Sequence, residues 1–280
     1  MVENRPVLTL ISHIVLALGV LMVAFPIYIT FVGSTHTLPD ILNAPMSLVP
    51  GDAIWDNYAA ALGTGGDMSG ARPVSVMLWN SFVMAMVIAV GKIIISMMSA
   101  FAIVYFRFPF RMFFFWLIFI TLMLPVEVRI LPTFQVVAGL GLVDTYFGLT
   151  VPLIASATAT FLFRQFFLTV PDELTEAARI DGAGPIRFFF DILLPLSRTN
   201  IAALFVILFI YGWNQYLWPL LISDNLETVV IGIRRMLTVG DADIQWNIVM
   251  ATTLLAMIPP VLVVVFMQRW FVKGLVETEK

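Results

Sequence analysis

Residues 176–182 read Glu-Ala-Ala-Arg-Ile-Asp-Gly, and residues 192–195 read Ile-Leu-Leu-Pro. The first stretch has the composition of a short, charged helix of small residues that stops at a glycine, within a chain otherwise rich in apolar runs. A segment that only had to lie in a bilayer would not need these charges, because charges are expensive in hydrocarbon. The stretch therefore predicts a surface on the aqueous side of a membrane protein, where another protein docks.

The residues around this helix specify both of its ends. Pro171 suits the first helical position, where a missing N–H costs nothing. Asp172 and Glu173 complement the positive end of the helix dipole. Gly182 favours the left-handed conformation that ends a helix, and Pro185 prevents continuation. We predict a helix of ~11 residues that contacts the partner protein. At Gly182 the chain then turns a rigid corner into an apolar arm, which lies against the membrane.

The composition of the whole chain indicates a membrane protein. Of its 280 residues, 60% are hydrophobic and only 12% are charged, whereas soluble domains carry about a quarter charged residues. The absence of cysteine excludes disulfides and thiol chemistry, and two separated histidines predict no metal site. No basic cluster suits a phosphate backbone, so we expect no nucleic-acid partner.

Six apolar stretches are long enough to cross a bilayer, which takes about 20 residues. They cover residues 7–32, 74–105, 112–138, 146–163, 201–222 and 248–271. The first stretch exceeds the about 7–15 residues of a signal-peptide core, so an uncleaved span is the better interpretation. The expected fold is an all-α membrane protein with six transmembrane helices and a cytoplasmic helix between spans four and five.

The distribution of lysine and arginine predicts the orientation. With the N-terminus in the cytoplasm, ten basic residues lie inside and four outside, as the positive-inside rule requires. Both termini are then cytoplasmic, residues 33–73 and 223–247 form external loops, and residues 164–200 form the internal loop with the docking stretch. The inner residues are Arg5, Arg107, Arg111, Arg164, Arg179, Arg187, Arg198, Arg269, Lys273 and Lys280, and the outer ones are Arg72, Arg129, Arg234 and Arg235.

Polar residues inside the spans are candidates for a transport pathway. A charge at mid-span costs about 2.5–3.5 kcal/mol, so Lys92 either lines a pathway, or snorkels or pairs with a partner subunit. Asn214 and Gln215 lie mid-span beside tryptophans and either line a pathway or hold helices together.

Residues 125–132 begin and end with proline and carry the charged pair Glu127 and Arg129. A span broken here is tolerated where it lines a cavity. Arg129 is the best candidate to meet a phosphate, since guanidinium presents a planar fork to phosphate oxygens. The alternative is an Arg129–Glu127 pair or an anchor at the outer interface.

The spacing Glu-Ala-Ala, three residues, Gly, nine residues, Ile, one residue, Leu-Pro resembles the coupling loop of the membrane subunits of bacterial ATP-binding cassette (ABC) importers. Residues 121–125, 211–219 and 268–275 extend the similarity over almost the whole chain. The class is that of the carbohydrate-type importers, second membrane subunit, which includes the maltose permease. Residues 3–6, 124–130 and 156–167 are most similar to glycerol 3-phosphate permeases.

The resemblance implies that residues 1–280 form one transmembrane domain of an importer in the bacterial inner membrane. The chain would be a permease subunit for sn-glycerol 3-phosphate and not an enzyme, binding no cofactor itself. Its partners would be a second permease subunit, an ATPase dimer that uses ATP and Mg, a periplasmic solute-binding protein and membrane lipid. The residues implied to couple to the ATPase are Glu176, Ala177, Ala178, Asp181, Gly182, Ile192, Leu194 and Pro195.

Other interpretations remain. Within the same class the substrate is alternatively a sugar or an oligosaccharide. An ion-coupled secondary carrier would need internal repeats and intramembrane acids, and Glu127 is the only acid near a span core. A membrane scaffold without transport would have no use for a docking stretch or a broken span. The chain has no Gly-rich loop followed by Lys and Ser or Thr, so an ATPase site is not expected in it.

Overall fold

The computed structural model describes residues 6–64, 72–123, 126–238 and 244–276, and all regular secondary structure in these ranges is helical. The all-α prediction is confirmed for this part of the chain. A 3-10 turn (Val151–Leu153) follows α7, and a π-helical turn (Phe189–Leu193) joins α10 to α11. The α-helices are α1 (Pro6–Ser34), α2 (Leu38–Leu42), α3 (Ile54–Gly63), α4 (Val74–Tyr105), α5 (Arg111–Met123), α6 (Val126–Gly139), α7 (Tyr146–Thr150), α8 (Ala157–Phe167), α9 (Asp172–Ile180), α10 (Pro185–Phe188), α11 (Leu194–Leu196), α12 (Arg198–Trp213), α13 (Leu217–Ile222), α14 (Val229–Met236) and α15 (Trp246–Val276).

Among the described residues, three helices are long and apolar enough to cross a membrane alone: α1, α4 and α15. Two bent pairs meet the same criterion when each pair counts as one span: Tyr146–Leu153 with Ala157–Phe167, bent by 48°, and Pro185–Leu196 with Arg198–Trp213, bent by 72°. The predicted third span, residues 112–138, corresponds to the shorter helices α5 and α6. Length and composition thus support up to five spans, and the six-span topology stays a prediction.

The interruptions have local causes in the sequence. Ser156 starts α8 because its Oγ accepts a hydrogen bond from the Ala159 N–H at 3.3 Å, as serine commonly does at a helix N-cap. Helix α12 ends at Trp213, so Asn214 and Gln215 lie in the gap before α13 and not within a continuous helix. The predicted break within residues 125–132 is wrong for the described part of this segment, because α6 is continuous from Val126 and contains Pro132; residues 124 and 125 lie outside the described residues.

The chain divides into two compact units, Met1–Val76 with Gly232–Met257, and Met77–Ile231 with Ile258–Lys280. In the first unit the buried Asn57 holds the segment after α1. Its Nδ2 donates to the carbonyls of Ser34 (2.9 Å) and His36 (2.8 Å), and its Oδ1 accepts from Asn247 (2.7 Å). The described part of the predicted external loop 33–73 is therefore an ordered element that contains α2 and α3.

The second unit is built around α4. Close helix approach explains two glycines: a Cβ at Gly212 would lie 2.9 Å from the Ala85 Cα, and one at Gly91 would lie 2.6 Å from the Ile154 side chain. Trp218 fixes α13 by donating from Nε1 to the carbonyls of residues 148 and 149, each at 3.2 Å. The apolar core of this unit contains Met84, Ile88, Val137, Leu149, Leu153, Trp218 and Ile222.

Asp144 ties the turn before α7 to the chain after α13. It has a φ of 59°, and its Oδ1 accepts hydrogen bonds from Ser223 Oγ (2.9 Å) and the Asn225 N–H (2.8 Å). Reduced hydration opposes ionisation of this carboxyl, but the hydrogen bonds from Asn225 and Ser223 outweigh it and lower its pKa to about 2.

We expect Asp144→Ala to lower the free energy of unfolding by about 1 kcal/mol at neutral pH, because the donors around it lose their acceptor. Since the folded pKa lies below the ordinary value, this stabilisation is complete above about pH 4 and is lost as the pH falls towards about 2. In thermal unfolding of the purified proteins, the stabilities of the wild type and of Asp144→Ala should converge in that pH range. Asp52→Ala, at an exposed carboxylate, is the control; an equally large loss in it would contradict the assignment.

Candidate functional site

A cavity of about 560 Å³ in the second unit brings together two of the five residues predicted for a pathway, Lys92 and Arg129. The segment before α8 and the helices α4, α5, α6, α8 and α12 contribute to its wall. Apart from the two cations, the polar side chains of the wall belong to Ser99, Thr121, Ser156, Thr158, Thr160 and Tyr211. The cavity therefore combines positive charge with hydroxyl groups inside an apolar unit.

Lys92 is a buried charge in the middle of α4, with only 6% of the residue exposed. Its Nζ lies 3.8 Å from the centroid of the Tyr211 ring, a favourable cation–π arrangement. Within the described part of the chain it forms no ion pair with a carboxylate. A buried ammonium group without a carboxylate partner can receive an anion that enters the cavity.

Arg129 lies in the first turns of α6 and is exposed, with its guanidinium at the same cavity. It forms no ion pair or side-chain hydrogen bond with any described residue. The predicted alternative partner, the carboxylate of Glu127, lies outside the described side chains. Two positive groups, one buried and one exposed, thus line a single cavity.

The N-terminus of α8 also lines the cavity, from Ser156 to Thr160. The first N–H groups of a helix have no partner within it, and the helix dipole is positive at this end. A helix N-terminus is for this reason a suitable position for an anion, and half-helices in transporters use it for anionic substrates. The sequence signal was Ser156 before Ala-Thr-Ala-Thr, an N-cap pattern that an uninterrupted apolar span concealed.

The other two predicted pathway residues do not line the cavity. Asn214 is exposed at the C-terminal end of α12, and Gln215 donates from Nε2 to the Tyr211 carbonyl at 3.1 Å. This bond closes the last turn of α12. Gln215 therefore contacts the backbone of Tyr211, whereas Lys92 contacts its ring.

The docking stretch forms helix α9 and ends as the sequence predicts. Gly182 has a φ of +72°, and its N–H donates to the Arg179 carbonyl at 3.0 Å. The Ala183 N–H donates to the Ala178 carbonyl at 2.8 Å, which completes a Schellman motif. A Cβ at Gly182 would meet no atom within 4 Å, so backbone conformation alone, within this chain, requires glycine.

The two faces of α9 differ. Ala178 is buried, whereas Glu176, Ala177 and Asp181 are exposed. Ile180 is 86% exposed on this outer side, and Ile186, just beyond the corner, is 74% exposed. Ile180 is not among the predicted coupling residues, although an isoleucine between Arg179 and Asp181 on a polar helix is a usable signal. Exposed apolar side chains among charges are typical of a protein–protein contact.

The corner rests on the end of α4. The rings of Tyr105 and Phe188 lie 5.2 Å apart, and those of Phe101 and Phe189 lie 5.0 Å apart. Lys92 and Tyr105 are separated by about 20 Å along the same helix, at 1.5 Å per residue. One rigid helix therefore connects the corner to the charged cavity.

The arm beyond the corner contains the remaining predicted coupling residues. Ile192 is partly buried in the π-helical turn, and Leu194 and Pro195 line a separate apolar groove with Arg198 and Trp270. Only the residues of α9 and the glycine are therefore close to the exposed corner. A proline cannot donate the next helical hydrogen bond, which is consistent with the irregular turn before Pro195.

Residues 92–277 match the sequence model of a family described as the inner membrane component of binding-protein-dependent transport systems. The chain belongs to this family. Members are membrane-embedded permease subunits of ABC importers, so the chain is a transport component and not an enzyme. Membership implies, in general terms, a partner permease, an ATPase and a binding protein.

Curated relatives of this permease align over the full length of both chains. They are 67% identical in Brucella melitensis, 65% in Agrobacterium fabrum and 61% in Pectobacterium atrosepticum, and each is named sn-glycerol-3-phosphate transport system permease protein UgpE. A crystal structure of a bacterial ABC transporter involved in import of the acidic polysaccharide alginate has a chain with a TM-score of 0.78 and 20% identity. That match covers 97% of this permease and 99% of the other chain, and it shows the shared fold.

Proposed function

We propose that this permease imports sn-glycerol 3-phosphate and that the phosphate passes through the cavity of Lys92 and Arg129. The observation that carries the proposal is the convergence of two cations and the N-terminus of α8 on one cavity. A phosphate group near pH 7 carries close to two negative charges and strong acceptor oxygens. Hydroxyl side chains on the same wall suit the hydroxyls of glycerol.

The names of the full-length relatives support this substrate, since they are sn-glycerol-3-phosphate permeases at 61–67% identity. A neutral sugar is a weaker candidate, because desolvating Lys92 and Arg129 without an anion would cost free energy. The charged cavity thus agrees with the substrate of the relatives.

We also propose that α9 and Gly182 form the contact with an ATPase subunit, where ATP and Mg are used. Glu176, Ala177, Ile180 and Asp181 form the outer surface of this contact. The predicted topology has six spans, cytoplasmic termini and external loops at 33–73 and 223–247. A solute-binding protein then delivers substrate outside, and a second permease subunit completes the pathway.

The test is uptake of labelled glycerol 3-phosphate by cells that lack this gene and carry the wild-type or a variant chain. Arg129→Ala should lower the uptake rate about tenfold, since a charged hydrogen bond contributes roughly 1.5 kcal/mol or more. Arg129→Lys keeps the charge but loses the two-pronged geometry of the guanidinium. Its uptake rate should lie between those of the wild type and Arg129→Ala.

Variant and wild-type chains must be present in the membrane in equal amounts, as measured by immunoblot. Uptake by Arg129→Ala at the wild-type rate would remove this residue from the pathway. Failure of the wild type itself to restore uptake, with restored uptake of a sugar, would refute the substrate and leave the importer class in place.

A further inference from the structure

An apolar groove of about 340 Å³ lies beside the start of α12, apart from the cavity and the docking corner. Its wall contains Leu194 and Pro195 from the arm beyond the corner, Ile201 and Phe205 of α12, and Met267 of α15. Among the described residues that line it, Arg198 is the only charged one, and none is acidic. The described wall therefore combines a long apolar surface with one positive group.

The position of Arg198 in its helix places it beside the apolar residues of the groove. It is the first residue of α12, and Ile201 and Phe205 follow it on the same helical face. Phe205 is about 10 Å further along the axis than Arg198, at 1.5 Å per residue. This is about a third of the ~30 Å hydrocarbon core of a bilayer. The groove thus extends from a charge into the depth expected of an acyl chain.

The charge of Arg198 lacks a counter-charge among the described residues. Its side chain is exposed and forms no ion pair or hydrogen bond there. By contrast, Arg187 in the same loop pairs with Asp191 at 3.2 Å. Arg198 also stands at the positive end of the α12 dipole, which repels it. An anion bound at this position would compensate both effects.

Trp270 also lines the groove and is 59% exposed. Tryptophan is enriched where a membrane meets water, since its ring is apolar and its N–H is polar. A basic group beside an apolar groove between membrane helices is a recurrent form of site for anionic lipid headgroups. Arg198 and Trp270 therefore mark the level of a headgroup, and the groove below them the level of its chain.

We propose that this groove binds an anionic phospholipid of the inner leaflet, with the phosphate at Arg198 and an acyl chain along Ile201 and Phe205. The leaflet follows from the predicted orientation, whereas preference for an anionic headgroup does not depend on it. The proposal is also independent of the imported substrate. The lipid would lie at the bend between the arm beyond the corner and α12.

The test uses the complete purified importer in vesicles of equal parts phosphatidylglycerol and phosphatidylcholine, with Phe205 replaced by the photoreactive p-benzoylphenylalanine. Each lipid is labelled in turn. Cross-linking to phosphatidylglycerol should exceed that to phosphatidylcholine about fivefold, the effect of one basic residue near a headgroup. Arg198→Gln should reduce this ratio to near one. Arg187→Gln, the same change at the paired arginine, should leave it unchanged.

Equal cross-linking to both lipids in the chain with Arg198, or an unchanged ratio in Arg198→Gln, would overturn the proposal. Cross-linking to another protein subunit in place of lipid would overturn it too, since the groove would then be a subunit interface. If Arg198→Gln does not assemble, Arg198→Lys should assemble and retain the preference. The fluorescence of Trp270 gives an independent measurement, as the difference between the wild type and Trp270→Phe. Brominated phosphatidylglycerol should quench this fluorescence more strongly than brominated phosphatidylcholine does.

Discussion

Gly182→Val is expected to reduce uptake about tenfold or more while the chain still inserts into the membrane. The φ of +72° at this position is one that L-residues rarely adopt. For an ordinary side chain the left-handed conformation costs roughly 1–2 kcal/mol, and more for a β-branched one. That strain would move the equilibrium away from the corner that positions α9. ATP hydrolysis by the assembled importer should then continue without proportionate uptake.

Two control variants separate backbone strain from bulk. Asparagine tolerates the left-handed region, so Gly182→Asn should retain most of the uptake although its side chain is as large as that of valine. Gly184→Val makes the same change at a φ of −72° and should have little effect. Wild-type uptake by Gly182→Val would show that the corner does not transmit the motion. Equal losses in Gly182→Val and Gly182→Asn would attribute the effect to a clash with the partner.

Lys92→Met is expected to lower the rate of glycerol 3-phosphate uptake at saturating substrate by about tenfold to a hundredfold. A hydrogen bond to a charged group contributes about 1.5–3 kcal/mol, and Lys92 is the more buried of the two cations in the cavity. Methionine has a similar length and keeps the apolar contact with Tyr211. It also removes a charge that is costly in a span, so the chain should insert at least as well as the wild type.

The readout distinguishes a pathway role from a packing role. If Lys92 only packs on Tyr211, the methionine variant should keep both assembly and uptake, and this outcome would contradict the proposed pathway. Lys92→Arg preserves the charge and should recover part of the rate. ATP hydrolysis of the purified importer, measured in parallel, should stay near the wild-type level in Lys92→Met. A loss of hydrolysis in this variant would contradict a role of Lys92 that is confined to the substrate pathway.

Local features of the chain were the ones that the sequence predicted well. The left-handed glycine at 182, the acidic first turn of α9 and the full extent of α4 all follow from interactions within a few residues along the chain. The membrane class follows equally directly, because hydrophobic transfer depends on composition. The spacing around the corner carried a resemblance to importer permeases, and the family match over residues 92–277 confirms it.

The sequence failed at the breaks within spans. Residues 146–163 and 201–222 read as continuous apolar stretches, yet α8 begins after Ser156 and α12 ends at Trp213. Hydropathy does not mark the break before α8, since Ile154, Ala155 and Ser156 are apolar or small, and the polar pair Asn214 and Gln215 is too short to end an apolar stretch by itself. The Ser156 cap is a local cause of the break before α8, and the close approach of Ile154 to Gly91 is a further contact that only the folded chain contains. Asn214 and Gln215 were consequently placed in a span and lie in a gap between helices.

The sequence by itself determined a helical membrane protein whose charged helix ends at a left-handed Gly182, because helix caps and hydrophobicity are local properties. Only the tertiary structure decided which polar residues share a cavity. Lys92 and Arg129 are separated along the chain, and α8 begins further along still. The packing of these helices brings the two cations and the helix N-terminus to one cavity, and no periodicity in the sequence encodes that distance.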